Sequence, residues 1–178
     1  MSVIYIDANK GKTYNSCFLE DINLREESEI LFEYTSDFRS TKNIRECISD
    51  LSLKFWIDPI WKSRLILIVD ELNNNAIEYW SKEWDENFIK IIFSLKWDLL
   101  YINIEVWDTW KWINTKTAEE MEFLKNHKKE IWFKNHNSIR WRGLFMIIEK
   151  IVDKLYFKNR ESWWLIVWIN KELKIKKD

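Results

Sequence analysis

Glycine is scarce in this sequence, and that scarcity constrains the fold more than any other feature. The chain contains 2 glycines and 13 tryptophans in 178 residues, whereas an average glycine usage of ~7% predicts roughly 12 glycines. Tight turns, helix C-termini and ligand-binding loops use glycine because other residues resist positive φ. Tryptophans stand where such features are expected, as at Trp110 and Trp112. Either UGA codons, which some bacterial lineages translate as glycine, are written here as tryptophan, or the protein is genuinely rich in tryptophan.

Composition and charge narrow the class of protein. Apolar residues make up 47% of the chain and the formal net charge is −1, so neither general disorder nor a basic surface for direct nucleic-acid binding is indicated. No apolar run approaches the ~20 residues of a membrane span. No secretory signal pattern opens the chain, and Cys17 and Cys47 are too few for a disulfide framework. We therefore expect a soluble cytoplasmic domain that does not associate with membranes.

Hydrophobic spacing predicts one α+β domain, with helices covering one face of a mostly antiparallel sheet. Strand-like runs occur at 3–6, 30–34, 88–95, 99–106, 154–157 and 165–170. Helical spacing occurs from residue 40 or 41 to 55, from 65 to 79, over a short stretch at 118–124, and from 143 to 155.

The same patterns predict how the chain is divided. Residues 1–27 are an N-terminal arm or an edge strand, 28–173 form the domain, and 174–178 are a charged tail. Lys96-Trp97-Asp98 is a good hairpin turn if Trp97 stands for glycine. Asp58-Pro59 interrupts the helical spacing, which predicts a boundary between two helices.

Glu71 and Asn75 are the first candidates for chemistry. Their i, i+4 spacing on the second predicted helix places both side chains on one face, roughly 6 Å apart at Cβ. A carboxylate can deprotonate a water molecule, and an amide oxygen can ligate a hard cation such as Mg²⁺. Taken alone, a pair with this spacing is more often part of a solvated polar stripe.

Two predicted loops supply further candidates. Asp108 ends a strand and precedes Trp110 and Trp112, and a carboxylate at a strand end can accept a hydrogen bond from the exocyclic amine of adenine. Arg140-Trp141-Arg142-Gly143 opens a helix, whose N-terminal N–H groups and arginines favour phosphate. If these tryptophans represent glycines, both loops can approach a ligand closely. For each, an ordinary surface helix start is the alternative.

In order and spacing, the three motifs resemble the N-box and the two glycine boxes of the GHKL ATPase superfamily, which includes gyrase, chaperone, histidine kinase and mismatch-repair ATPases. The resemblance spans about residues 28–173 and is closest to the anti-sigma-factor serine kinases. It implies a two-layer α/β sandwich of the Bergerat type that binds ATP and Mg²⁺.

The resemblance also implies roles for individual residues. Glu71 would be the general base, Asn75 the Mg²⁺ ligand and Asp108 the residue that recognises adenine, while residues 115–139 would form a lid over ATP. The other positions implied to bind the nucleotide are Trp110, Trp112, Arg140, Trp141, Arg142 and Gly143.

The implied function is a serine/threonine protein kinase that phosphorylates an antagonist protein and binds a sigma factor. The alternative is a nucleotide-sensing or nucleotide-dead module that binds a partner without catalysis, because genuine indole rings in the glycine boxes would obstruct nucleotide. The sequence leaves open whether the chain forms a homodimer.

Overall fold

The computed structural model describes residues 2–10, 20, 22–23, 27–77, 86–108, 117–127, 149–160 and 164–175. Within these ranges the chain is α+β. The strands are β1 (Ser2–Asp7), β2 (Ser28–Thr35), β3 (Glu86–Lys96), β4 (Leu99–Asp108), β5 (Lys154–Arg160) and β6 (Trp164–Lys174). The helices are α1 (Phe38–Lys54), α2 (Pro59–Asn75), α3 (Ala118–Asn126) and the three-residue α4 (Glu149–Ile151). No helix in this part of the chain is long and apolar enough to cross a membrane.

The strands form one mixed sheet in the order β1-β2-β3-β4-β6-β5. β1 runs parallel to β2, and every other neighbouring pair is antiparallel. The N-terminal segment thus contributes an edge strand to the same sheet as the rest of the chain. β3 and β4 form the expected hairpin, with Lys96 opposite Leu99 across a two-residue turn.

Alternate residues of the strands point into one hydrophobic core that they share with α1 and α2. In β2 every second residue from Ser28 to Tyr34 is buried, as expected for a strand with one covered face. The rings of Phe55, after α1, and Phe93, in β3, stack with centroids 4.4 Å apart. Each fully buried Leu, Ile or Phe side chain contributes about 1.5–3 kcal/mol, so this shared core holds the helices on the sheet.

Aspartates start both long helices. The Asp37 side chain accepts a hydrogen bond from the Arg39 backbone N–H, and α1 begins at Phe38, earlier than the predicted residue 40 or 41. The Asp58 carboxylate accepts from the backbone N–H groups of Ile60 and Trp61. Because Pro59 takes the first helical position, where its missing N–H costs nothing, the predicted break at Asp58-Pro59 is the start of α2.

Two polar contacts show that α1 and α2 lie antiparallel. Asn73 Nδ2 donates to Thr41 Oγ1 at 2.6 Å, and Arg45 Nε lies 2.6 Å from Asp70 Oδ1. Both contacts join the N-terminal half of α1 to the C-terminal half of α2. The last turn of α2 therefore lies beside the first turns of α1.

Towards the C-terminus, helix and strand patterns overlap in the sequence, and the strand prevails. The predicted helix at 143–155 is described only as α4 near its end, while Lys154 and Leu155 belong to β5. β5 pairs with β6 along its whole length, and this ladder satisfies those backbone groups of residues 154–160 that face β6. The predicted short helix at 118–124 is confirmed as α3.

Candidate functional site

Glu71 and Asn75 form a contacting pair in the last turn and a half of α2. Asn75 Nδ2 donates a hydrogen bond to Glu71 Oε1 at 3.4 Å, so the two side chains share one helix face as their spacing predicts. Asn75 is buried and Glu71 is half-buried. The hydrogen bond uses the amide nitrogen of Asn75, and the amide oxygen takes no part in it. That oxygen is the atom with which an asparagine can ligate a hard cation.

The neighbours of this pair tie α2 to α1. Arg45 Nε donates to both carboxylate oxygens of Asp70, at 2.6 and 2.7 Å, and the hydrogen bond to Asp70 raises the pKa of the Arg45 guanidinium. Asp70 therefore forms an ion pair that joins the two helices. Glu71, one residue later, points about 100° away around the helix and is the carboxylate that contacts Asn75.

Asn73 is a residue whose part sequence reasoning missed. It is fully buried, and its bond to Thr41 fixes the last turn of α2 against α1. The run Asn73-Asn74-Asn75 was an available signal, because residues two apart on a helix lie about 200° from each other. One of two such asparagines can face a neighbouring helix while the other faces the site.

Asp108 ends β4 at the same end of the sheet as the Glu71–Asn75 pair. In the register, Asp108 lies opposite Asn87 of β3, and Asn87 lies opposite Tyr34 of β2. Two strand spacings of ~4.8 Å put the Asp108 backbone roughly 10 Å from that of Tyr34. β2 ends at Thr35 and leads directly into α1.

A side-chain contact links this sheet end to the helices. Asn87 Nδ2 donates to Ser36 Oγ at 2.9 Å, and Ser36 lies between β2 and the cap of α1. The first turns of α1 in turn contact the last turn of α2 through Thr41 and Asn73. The structure thus brings Glu71, Asn75 and the backbone of Asp108 to one end of the molecule.

The remaining predicted site residues lie outside the part of the chain that the structure describes. They are Trp110, Trp112, Arg140, Trp141, Arg142 and Gly143.

Of the predicted lid at 115–139, residues 117–127 are described, and they contain α3. The helix starts with a capping box in which Thr117 and Glu120 exchange side-chain hydrogen bonds with each other's backbone. Asn159 of β5 accepts from the Ala118 N–H at 2.8 Å, and Lys125 Nζ donates to the Leu155 carbonyl at 2.8 Å. Both ends of α3 are therefore held on β5.

Within the described ranges, no three His, Cys, Asp or Glu side chains group closely enough to hold a metal ion. An ion at Asn75 would draw its other ligands from phosphate oxygens and water, which is how Mg²⁺ is commonly bound beside a nucleotide. The donor set fits this mode, with an amide oxygen next to a carboxylate.

No protein-family model matches this chain, and no curated protein matches it. The chemistry available at the site must therefore be argued from the residues themselves. A half-buried carboxylate can accept a proton, and a buried amide can help to orient a cation.

Proposed function

We propose that this chain is the Mg-ATP-binding domain of a regulatory protein and acts as an anti-sigma-factor-like serine/threonine protein kinase on an antagonist protein. The observation that carries the proposal is the Glu71–Asn75 contact on α2, at the sheet end where β4 finishes at Asp108. The proposal includes a two-layer sandwich of the Bergerat type. Four antiparallel strand pairings and the core shared by the sheet and the two long helices support that architecture.

In the proposed reaction, a serine hydroxyl of the antagonist attacks the γ-phosphorus of ATP. The new O–P bond forms as the bond from the γ-phosphorus to the bridging oxygen breaks, ADP leaves, and the serine proton passes to the Glu71 carboxylate. Asn75 would hold Mg²⁺ through its amide oxygen, and the bound ion would neutralise charge on the phosphates. If water replaces the serine, the same base supports ATP hydrolysis.

The nucleotide contacts of the proposal rest on the sequence motifs. Asp108 would accept a hydrogen bond from the adenine amine, which excludes guanine because guanine carries a carbonyl oxygen at that position. Residues 109–112 would lie beside the adenine ring. The helix start at 140–143 would bind the phosphates through backbone N–H groups and arginines. Both loops are written with tryptophan where the family has glycine.

The test compares variants of Glu71 and Asn75 in a chain that carries glycine at all tryptophan positions. We expect this chain to bind Mg-ATP and the chain as written to bind it poorly. Glu71→Gln should keep ATP affinity but lose turnover by about 10²-fold or more, because a general base acts in the transition state. Asn75→Ala should weaken binding only when Mg²⁺ is present.

Asp70→Asn is the matched control, since it removes the adjacent carboxylate that faces Arg45 and not Asn75. It should leave turnover per bound ATP unchanged. Normal turnover by Glu71→Gln, or failure of the glycine-containing chain to bind Mg-ATP by calorimetry, would overturn the proposal.

The tryptophans at 110, 112 and 141 favour a second candidate function. If they are genuine, the indole rings obstruct nucleotide, and the chain is a nucleotide-sensing or nucleotide-dead module that binds a partner without catalysis. Radiolabelled ATP with candidate sigma-factor antagonists separates the two candidates. Phosphate transfer to the antagonist supports the kinase, whereas partner binding without transfer supports the module.

A further inference from the structure

Two tryptophans have a backbone conformation that normally belongs to glycine. Among the described residues other than glycine, positive φ occurs at Trp56, with φ 52°, and at Trp97, with φ 62°. The left-handed region is unfavourable for any residue with a Cβ atom, and Asn and Asp are the residues that most often tolerate it. Both exceptions among the described residues are instead tryptophans.

Trp56 occupies the glycine position of a helix C-terminal motif. α1 ends at Lys54, Phe55 is its C-cap, and Trp56 is the next residue. The Trp56 N–H donates to the Leu53 carbonyl at 3.2 Å, and the Ile57 N–H donates to the Ser52 carbonyl at 2.9 Å. These two hydrogen bonds define the Schellman motif, whose left-handed residue is usually glycine.

Trp97 occupies the glycine position of a hairpin turn. It is the first of the two residues between β3 and β4, and φ is positive at Trp97 but not at Asp98. This pattern is that of a type II′ turn, which takes glycine at its first central position. The Trp97 side chain is 92% exposed, so packing of the indole does not offset the backbone cost.

A third tryptophan has an unsatisfied polar group. The indole Nε1 of Trp168 in β6 is buried and has no hydrogen-bond partner among the residues that the structure describes. Buried tryptophan N–H groups usually find an acceptor, and an unsatisfied buried donor costs free energy. This position is independent of both turns, and glycine there would remove the unsatisfied N–H together with the contact between the indole and the Tyr156 ring, whose centroids lie 4.9 Å apart.

We propose that the protein made in the cell carries glycine at positions 56 and 97, because UGA codons at these positions are translated as glycine. The hairpin turn and the helix C-terminus then have the residue that their backbone requires. The inference concerns the chemical identity of the chain and stands whether or not the chain binds ATP. Applied to every other UGA codon, the same translation would supply the glycines that the loops at 109–112 and 140–143 lack.

The test is to determine both the codons and the residues of the protein purified from the organism that carries the gene. Tryptic cleavage after Lys54 and Lys62, and after Lys96 and Lys111, yields two peptides that contain positions 56 and 97. Tandem mass spectrometry of these peptides assigns both residues, and the second peptide also reports position 110. Any position that the gene encodes as UGG serves as a control and should contain tryptophan in the same digest.

The expected result is UGA in the gene and glycine in the peptide at both positions. A UGG codon at either position overturns the proposal. So does tryptophan at either position in the purified protein, whatever its codon.

Discussion

Replacing Trp97 with glycine in the chain as written should stabilise the fold, although the substitution removes a large aromatic side chain. A residue with a Cβ atom pays about 1–2 kcal/mol for a positive φ, and Trp97 has φ 62°. The indole is 92% exposed, so little burial is lost. Glycine also increases the conformational entropy of the unfolded chain, which lowers the free energy of unfolding by about 0.4–1 kcal/mol.

The net gain should be about 1 kcal/mol in the free energy of unfolding, or roughly 2–4 °C in Tm for a chain of this size. Urea unfolding followed by far-UV circular dichroism measures it, with an unchanged m value showing that the gain is in stability. Trp97→Ala is the matched control, because alanine also removes the indole but retains the Cβ atom.

We expect Trp97→Gly to be more stable than Trp97→Ala by about 1 kcal/mol. Equal stability of the two variants would show that the exposed indole, and not the backbone angle, determines the effect. A glycine variant that is less stable than the unaltered chain would refute the assignment of a backbone penalty to the positive φ of residue 97.

Three further predictions follow from other parts of the molecule. In the glycine-containing chain, Asp108→Asn should weaken ATP binding by about tenfold or more, which corresponds to about 1.4 kcal/mol, and the unmutated site should reject GTP. Titration calorimetry with both nucleotides measures these affinities, and equal affinities for ATP and GTP would show that Asp108 does not recognise adenine. The Cys47 thiol should resist alkylation in the folded protein, because burial and, to a smaller extent, the Asp50 carboxylate raise its pKa. Peptide mapping after alkylation measures this, and rapid labelling of Cys47 in the native protein would contradict its placement in the core. The backbone N–H and side chain of Arg39 lower the pKa of Asp37 by hydrogen bonding, so the charge of Asp37 stabilises the fold above the unfolded-state pKa of about 3.9, and this contribution is lost as the pH falls further. The Tm values of the wild type and of Asp37→Asn, which keeps a capping side chain, should therefore converge in acid. A difference in Tm that stays constant with pH would exclude the charge as the cause.

Local features of this protein follow from the order of its residues. The spacing of Ile44, Ile48 and Leu51 predicts the buried face of α1, and all three are buried. The hairpin at Trp97 and the i, i+4 contact of Glu71 with Asn75 need only neighbouring residues. Such features are predictable because helix and hairpin geometry relate residues a few positions apart.

Other features depend on segments far apart in the chain. β1 pairs in parallel with β2, although a long stretch of sequence separates the two strands. The pattern of Val3 to Ile6 fits a loose arm as well as an edge strand. The overlap of helix and strand patterns at Lys154 is resolved by the ladder with β6. Periodicity describes one element at a time, so it cannot identify the partner that completes a sheet.

The candidate site shows the same division. The sequence by itself determined which residues are candidates for the chemistry, because Glu71, Asn75 and Asp108 are singled out by their types and local spacing. Only the tertiary structure decided that they lie at one end of the fold, through the contact of Asn73 with Thr41 and the register that sets Asp108 opposite Asn87. The physical reason is that packing and strand pairing act between elements, and the free energy that selects them comes from burial and hydrogen bonds formed only when those elements meet.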